Sequence, residues 1–540
     1  MSEPANISEI RAAATSHGSG DVTQTVPDTA SSYDAVPYSV CAFAQTRPDR
    51  LGAIAALFGM MPALPGACRV LELGCASGGN LIPMALSWPG GQFVGIDLSQ
   101  RQIDDGRRVV QELGLGNIDL RCFSILDASH ELGIFDYILC HGVYSWVPPQ
   151  VQNKILEICR DHLNPQGVAY ISYNTFPGWH ARAAIREMLC YHTEKFEKPE
   201  DRIREARGLL TFLVRSVGSH EAAFNSLMRH EMAVLTATPD TYLLHEHLEE
   251  YNEPLYFHQF VDRAAAKSLQ YLGESAITQM VPSRLGADVE TTLRQISPNL
   301  VEMEQYMDFL RNRMFRQTLL CHDSVDLDHA LRPEAVEKMW IASAAKPVSA
   351  EPDLKSDAAE DFRIDEAGHT LTSRDPMMKA AMTCLSRSWP VSIQFSELVK
   401  GAAEIAGLPS ADIRPEQSRQ LATRLLTCYT AGLVEFSLGP PRYIATVSQR
   451  PVASPYARLR ARSGTKVVNM RLESTVLSEP GRLVMQHLDG RHDRAALVQL
   501  VQEWMKNRSK EKSPDDTPNE ASRYVDELSA SFARGALLVG

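Results

Sequence analysis

Apolar runs alternate with stretches of mixed polarity between residues 33 and 185. Short apolar runs predict β-strands, and apolar residues recurring every three or four positions between them predict amphipathic helices. The predicted strands are RVLEL (69–73), QFVGID (92–97), IDLRCF (118–123), DYILCH (136–141) and VAYISY (168–173), with helices predicted over 100–113 and 149–162. Strands that alternate with helices predict an α/β, Rossmann-like domain whose parallel sheet is covered on both faces.

The pattern changes to helix beyond residue 185, where stretches such as REARGLLTFLVRSV dominate. Residues 186–344 therefore predict a mostly α-helical middle domain. Residues 345–362 are rich in Pro, Ser, Ala and acids and predict a linker. Residues 363–540 predict a winged-helix-like α+β region, because helices there precede a short apolar pair. Two polar segments, a tail at 1–32 and an insertion near 506–520, predict disorder.

Charge and cysteine usage narrow the class of protein. The chain has 54 Lys and Arg against 66 Asp and Glu, a net charge of −12, so we expect no nucleic-acid partner. Ten scattered cysteines form no CxxC pair, which indicates neither a metal site nor a disulfide framework. Without a signal sequence or an apolar run long enough to span a membrane, we expect a cytoplasmic protein.

A glycine-rich turn, VLELGCASGGN (70–80), follows the first predicted strand and precedes a helix. Glycines let the backbone approach a ligand closely, and this position suits a nucleotide or an adenosine-containing cofactor. A dinucleotide site requires GxGxxG, but Ala76 occupies the second glycine position. A phosphate-binding P-loop requires Gly-Lys followed by Ser or Thr, but Asn80 follows Gly79.

S-adenosylmethionine fits this pattern better, because it carries no phosphate. An acid in the first strand, Glu72, would hold its positively charged end, and Asp97 would accept both ribose hydroxyls. Ser124 or Asp127 would meet the adenine amino group, while Ile125 covers the ring. The residues predicted to contact the cofactor are Tyr38, Glu72, Gly74, Cys75, Gly78, Asn80, Asp97, Leu98, Ser124, Ile125, Asp127 and His141. The alternative is a degenerate Rossmann-like domain that binds nothing.

Several segments together resemble one family. VLELGCASGGN and VGIDLS mark a large superfamily, whereas HGVYSWVP and YNTFPGW together are more specific. Further resembling segments are SYDAVPYSVCAFAQTRPDRLGAIAALFGM before the turn, and LLHEHLEEYNEPLYFHQF and EQYMDFLRNRMFRQTLLC in the helical region. They resemble the bacterial class I S-adenosylmethionine-dependent methyltransferases with a methyltransferase regulatory domain. This group includes the rickettsial protein-lysine methyltransferases that act on outer-membrane protein. The resemblance implies a methyltransferase domain, a helical regulatory domain and a winged-helix-like C-terminal region, and it suggests a homodimer. One departure is Arg47, where similar sequences have histidine.

The methyl acceptor in this fold lies beyond the carboxyl ends of strands four and five. The loops there are rich in aromatic residues, which suit a lysine-like or methylammonium acceptor through cation–π contact. The residues predicted to serve the acceptor are His141, Tyr144, Trp146, Tyr173, Asn174 and Trp179. Asn174 would grip an N–H group, and His141 or Tyr173 would take the proton. Tyr144 and Trp146 could equally be core anchors, and His141 could simply hydrogen-bond the backbone.

These observations predict an enzyme that transfers methyl from S-adenosylmethionine to a protein lysine by in-line displacement. Two alternatives stay open at this point. One is a methyltransferase that acts on a small molecule or another macromolecule. The other is a non-catalytic regulatory protein that senses the cofactor.

Overall fold

The computed structural model describes residues 41–216, 223–249, 251–364, 368–408, 414–508 and 517–540. The predicted tail at 1–32 and the predicted cofactor residue Tyr38 lie outside these residues. The insertion predicted near 506–520 is too long. Residues 506–508 end one helix and residues 517–520 begin the next, while the positions between lie outside the described ranges.

The α-helices of the described ranges follow in chain order. They are α1 (Pro48–Leu57), α2 (Leu81–Ser87), α3 (Gln100–Glu112), α4 (Pro149–His162), α5 (Trp179–Thr193), α6 (Pro199–Ser216), α7 (Ala223–Ala237), α8 (Asp240–His247), α9 (Phe257–Ala265), α10 (Ala287–Ile296), α11 (Leu300–Arg311), α12 (Pro376–Ser388), α13 (Phe395–Ala406), α14 (Pro415–Thr430), α15 (Pro455–Ser463), α16 (Glu479–His487), α17 (Arg494–Arg508) and α18 (Thr517–Arg534). None of these helices is long and apolar enough to cross a membrane.

A seven-stranded sheet with the order β3-β2-β1-β4-β5-β7-β6 forms the centre of the molecule. Its strands are β1 (Arg69–Leu73), β2 (Gln92–Asp97), β3 (Ile118–Cys122), β4 (Phe135–Cys140), β5 (Leu163–Asn174), β6 (Leu269–Glu274) and β7 (Phe315–His322). Strands β1 to β5 are parallel, so their carboxyl ends share one edge of the sheet. The parallel α/β sheet predicted from the sequence is confirmed, and its five strands lie where the apolar runs placed them.

Successive residues of β1, β2, β4 and β5 belong to two different cores. Val70 and Tyr170 belong to the cluster on one face, whereas Leu71 and Ile171 belong to the cluster on the other. Strands that are buried on both faces appear in the sequence as continuous apolar runs. The two-sided burial therefore accounts for the strength of the sequence signal in β1, β2, β4 and β5.

The middle region adds two strands to the sheet. The sequence pattern did not predict these strands. After β5 the chain forms the helices α5 to α9 and then returns as β6 and β7, both antiparallel to their neighbours. Strand β7 carries Arg316, which is fully buried and bonded to three carboxylates. They are Glu274 at 2.8 Å, Glu304 at 3.0 Å and Asp308 at 2.7 Å. Because these carboxylates lie on β6 and α11, the sequence of β7 alone does not show that the positive charge of Arg316 is neutralised.

The region predicted as a linker, 345–362, contains strand structure instead. Strands β8 (Trp340–Ala342) and β9 (Lys346–Pro347) precede β10 (Glu360–Ile364) and β11 (His369–Ser373), and β9, β10 and β11 form one sheet. Ala345 and Phe362 are fully buried, so both ends of the segment are anchored in the core. Polar composition between the anchors produced the linker prediction.

Two small helical units follow, each with short strands. Helices α12 to α14 accompany β12 (Ile393–Gln394) and β13 (Glu435–Ser437), which pair with β8. Helices α15 to α18 accompany the hairpin of β14 (Lys466–Val468) and β15 (Ser474–Val476). Helices combined with a short hairpin agree with the winged-helix-like region predicted for the C-terminal part.

Candidate functional site

The turn after β1 has the backbone geometry that its glycines predict. Gly74 and Gly78 have φ angles of +74° and +73°, in the left-handed region that favours glycine. A Cβ atom on Gly74 would lie 2.5 Å from Val143 of the loop after β4. The Ala76 N–H donates to Asp97 Oδ2 at 2.8 Å. The turn is therefore tied to the end of β2, and it passes close to the loop after β4.

Glu72 presents an unpaired carboxylate oxygen beside this turn. The side chain is only 3% exposed, and Asn80 Nδ2 donates to its Oε1 at 2.8 Å. Its Oε2 is buried and has no hydrogen-bond partner among the described residues. Burial raises the pKa of Glu72 to about 8. An ammonium group beside Oε2 would supply the missing donor and restore the ionised form, so Glu72 suits the amino end of S-adenosylmethionine.

The segment before α1 contributes residues that the sequence analysis missed. Phe43 N donates to Asn80 Oδ1 at 3.0 Å, and Asn80 Nδ2 also reaches Thr46 Oγ1 at 3.0 Å. The Phe43 ring lies 3.8 Å from the His141 ring, centroid to centroid. The only signal in the sequence was the resemblance of this segment to the family. That resemblance assigned no role to Phe43 or Thr46. Asn80 therefore joins the N-terminal segment to Glu72.

Arg47, the departure noted in the sequence, is buried and bonded to Asp49, with Nε 3.0 Å from Oδ1. Its surroundings include Tyr443 and Met470 of the C-terminal part of the chain. Arg47 therefore lies beside that part of the chain, and its guanidinium pairs with Asp49. No hydrogen bond within the described residues links it to Glu72 or Asn80.

The ends of β2 and β3 bring together the residues predicted for the adenosine. Asp97 is partly exposed, and its Oδ1 accepts from Ser99 N at 3.0 Å. Leu98 is 46% exposed, which is unusual for a leucine beside the core. Ser124 accepts from Leu126 N at 3.2 Å. Two more predicted residues adjoin Ser124, the half-buried Ile125 and the exposed Asp127. Carboxylate oxygens next to an open apolar side chain fit a ribose and an adenine ring.

Cys75 has a different environment. It is 4% exposed, and burial raises the pKa of its thiol well above the usual value. A Cβ on Gly95 of β2 would come within 2.6 Å of its Sγ, so the thiol packs against the sheet. Cys75 can therefore meet a ligand through its backbone only.

The described residues together fit S-adenosylmethionine. Glu72 would hold the amino end, Asp97 the ribose and Leu98 a face of the adenine. When bound, this cofactor supplies an electrophilic methyl group on a positively charged sulfur.

His141 begins the acceptor loop after β4. Its Nδ1 lies 2.8 Å from the Tyr170 hydroxyl of β5, and burial lowers its pKa to about 4. The ring is therefore neutral at pH 7 and a weak base. This favours a hydrogen-bonding role over the proton-accepting role that the sequence suggested as one option.

The predicted roles of Tyr144 and Tyr173 need correction. Both are at most 1% exposed, and Tyr173 stacks on Phe260 at 4.1 Å. The Tyr173 hydroxyl pairs with Thr318 of β7 at 3.2 Å, so it is not available to an acceptor. Tyr144 packs edge-on against Phe260 at 5.3 Å. The two tyrosines are core anchors, because both belong to the buried cluster on the face of β5 opposite to Tyr170.

The predicted tryptophans also support the loops from inside. Trp146 is 8% exposed and Trp179 is 1% exposed, and their rings meet edge to face at 6.1 Å. Arg182 lies over Trp179, with 5.6 Å from the guanidinium carbon to the ring centroid. This pair joins the loop after β4 to the start of α5, so its role is structural.

Asn174 ends β5 at the junction of the two loops. Its N–H donates to Ser145 Oγ at 2.9 Å, and its Nδ2 donates to Asn252 Oδ1 at 3.0 Å. No group in the described parts of the chain donates to Asn174 Oδ1. Of the six predicted acceptor residues, His141 and Asn174 thus remain as polar groups at this edge. Asn252 was missed as a site residue, because it follows Asn174 by 78 positions.

Three family models match parts of the chain. Residues 70–167 match the family described as "Methyltransferase domain", and residues 239–322 match "Predicted methyltransferase regulatory domain". Residues 449–536 match "PKMT, C-terminal winged helix domain".

Similar proteins span nearly the whole chain. The uncharacterized protein RP789 of Rickettsia prowazekii is 34% identical over 90% of this chain and 87% of its own length. The structure of PKMT2 from Rickettsia typhi is similar with a TM-score of 0.84 at 30% identity. It covers 93% of this chain and all of PKMT2. A second PKMT2 structure, in complex with AdoHcy, has a TM-score of 0.83 at the same identity.

The likeness covers all three parts of the chain, and one of the similar structures is in complex with AdoHcy. The chain therefore belongs to the class I S-adenosylmethionine-dependent methyltransferases that carry a methyltransferase regulatory domain and a PKMT winged-helix domain, and it uses S-adenosylmethionine as its cofactor.

Proposed function

We propose that the protein methylates a lysine side chain of a protein substrate. The observation that carries this proposal is the free carbonyl oxygen of Asn174, at the edge where β4 and β5 end. A carbonyl accepts a hydrogen bond from an amine N–H, and it orients the nitrogen lone pair away from itself. The name of PKMT2 agrees with this class of acceptor.

The weak basicity of His141 favours an amine over a hydroxyl acceptor. A hydroxyl must lose its proton to become a strong nucleophile, and a histidine with a pKa of about 4 is poorly suited to take it. A neutral amine attacks with its own lone pair and releases a proton to water afterwards. Desolvation at the site lowers the pKa of lysine, which increases its neutral fraction.

An aromatic surface next to Asn174 supports a polypeptide acceptor. The Phe176 ring stacks on His180 at 4.1 Å and lies 5.3 Å from Tyr256. Tyr256 in turn lies 5.9 Å from Phe309, which is 46% exposed. The exposed Phe309 and the half-buried Phe176 and Tyr256 provide contact area for the chain on either side of a lysine.

Transfer of labelled methyl tests the proposal. The wild-type protein is incubated with labelled S-adenosylmethionine and a lysate of cells that lack this gene, and protein and small-molecule fractions are separated. We expect label in distinct protein bands that maps to lysine after digestion. Asp97→Ala, which removes the predicted ribose ligand, is the control and should transfer none. Label only in small molecules would refute the lysine acceptor.

Asn174→Ala tests the residue on which the proposal rests. It should bind S-adenosylhomocysteine as the wild type does, yet transfer methyl about tenfold more slowly, since one hydrogen bond to the acceptor is lost. Unchanged transfer by this variant would contradict the role of Asn174. The homodimer and the cytoplasmic location expected from the sequence stay predictions.

A further inference from the structure

Residues 252–255 of the regulatory region lie against both acceptor loops. Glu253 N donates to Ser145 O at 2.8 Å, in the loop after β4. Leu255 N donates to Asn174 O at 3.1 Å, at the end of β5. Thr175 Oγ1 donates to Leu255 O at 2.6 Å. The segment therefore joins the loops by backbone hydrogen bonds, which do not depend on its own side chains.

The Asn252 side chain adds one contact of a different kind. Its Oδ1 accepts the hydrogen bond from Asn174 Nδ2 at 3.0 Å. An asparagine amide carries donors on its nitrogen and acceptor sites on its oxygen, so a partner that binds the nitrogen also sets the direction of the oxygen. Without that partner, a rotation of 180° about the last side-chain bond would exchange the two groups. Asn252 thus determines which end of the Asn174 amide stays free.

A second set of contacts holds the segment independently of Asn252. Glu253 Oε1 binds Arg263 Nη2 at 2.7 Å, and Arg263 Nη1 donates to Gln152 Oε1 at 2.8 Å. Gln152 Nε2 donates to Tyr144 O at 3.1 Å. Because these bonds and the backbone contacts persist, a change at Asn252 should alter the amide of Asn174 and leave the segment in place.

We propose that Asn252 is a positioning residue for methyl transfer, one that keeps Asn174 Oδ1 directed at the acceptor N–H. This inference rests on the proposed role of Asn174. It assigns a function to the regulatory region, which supplies one polar group to the acceptor site.

Two variants of Asn252 separate positioning from packing. Asn252→Leu keeps the size of the side chain and removes the acceptor oxygen, whereas Asn252→Asp keeps that oxygen. We expect the leucine variant to lower kcat about tenfold and the aspartate variant to recover most of it. The measurement is transfer of labelled methyl to the acceptor fraction identified above. Calorimetric binding of S-adenosylhomocysteine should be equal in both variants and the wild type.

A matched control accounts for loss of stability. Asn299 caps α11 by accepting from Glu302 N at 2.9 Å, and it is exposed. No hydrogen bond among the described residues links it to the acceptor loops. Asn299→Leu makes the same chemical change, and the lost helix cap lowers stability. Its kcat should equal that of the wild type. If Asn252→Leu does not fold, Asn252→Ala takes its place.

A double-mutant cycle gives the decisive result. In an Asn174→Ala background, Asn252→Leu should cause no further loss of kcat, because the group it positions is absent. Additive losses, or a wild-type kcat in Asn252→Leu alone, would overturn the proposal. A wild-type kcat in Asn174→Ala alone would instead refute the proposed role of Asn174, so the two failures are distinct.

Discussion

Replacement of Glu72 by glutamine should stabilise the cofactor-free protein and weaken cofactor binding. The substitution keeps the shape of the side chain and removes its charge. Burial raises the pKa of Glu72 to about 8 in the folded protein, from 4.5 for the ordinary carboxyl group. Its one hydrogen-bond donor, Asn80, does not offset this burial. At neutral pH the folded protein therefore holds a proton that the unfolded chain releases.

The magnitude follows from the linkage between protonation and folding. Because the folded pKa is raised, the contribution of Glu72 to stability is fully present below pH 4.5 and is lost as pH rises to 8. Each pKa unit corresponds to about 1.4 kcal/mol, so the loss is about 3 kcal/mol at pH 7 and about 5 kcal/mol above pH 8. Glu72→Gln does not ionise and avoids this loss.

Thermal unfolding of cofactor-free wild type and Glu72→Gln between pH 5 and pH 8 measures the effect. The two unfolding temperatures should be similar at pH 5, and the variant should gain several degrees by pH 8. A difference that stays constant with pH would refute the reasoning, since only an ionising group produces the divergence.

Cofactor binding provides the second half of this test. An ammonium group beside Glu72 favours its ionised form, so wild-type binding of S-adenosylhomocysteine at pH 7 should release up to about one proton. Calorimetry in buffers of different ionisation enthalpy measures this release, and Glu72→Gln should abolish it and bind more weakly. Equal affinity would show that Glu72 does not hold the amino end.

Three further predictions concern the core and the glycine turn. Arg316→Met leaves buried Glu304 without a cation and Glu274 and Asp308 with Arg313 alone, and it should cost about 3–5 kcal/mol in thermal unfolding. Arg294→Met, in an exposed i,i+4 pair, should cost at most about 0.5 kcal/mol. Gly74→Ala combines a positive φ with a 2.5 Å contact to Val143 and should destabilise the domain by at least about 1–2 kcal/mol. Adding Val143→Ala should recover part of that loss in the same unfolding assay. Tyr173→Phe should lose about 1 kcal/mol of stability and keep kcat within about twofold, since its hydroxyl lies in the core. A large fall in kcat would show that the Tyr173 hydroxyl acts at the acceptor site.

The sequence alone determined the features that depend on local order. Strand positions in the parallel sheet followed from apolar runs, because strands that are buried on both faces must be apolar at almost every position. The turn from Gly74 to Gly78 was recognisable for a similar reason: its backbone requires residues without a side chain. Asp97 was recognisable from its place at the end of the next strand. The cofactor class was therefore predictable from short segments, each interpretable by itself.

The tertiary structure decided everything that depends on residues far apart in the chain. β6 and β7 complete the sheet although Arg316 lies buried in β7, since its charge is balanced by three carboxylates on β6 and α11. Tyr173 and Asn174 are neighbours at the end of β5, yet the Tyr173 hydroxyl pairs with Thr318 inside the core, whereas the Asn174 amide meets Asn252 at the edge of the sheet. Asn252 forms a hydrogen bond with Asn174, although 78 positions and a set of helices separate the two residues in the chain. A sequence pattern records the polarity of each residue, but only the folded chain determines which polar groups meet, because burial and pairing depend on the topology.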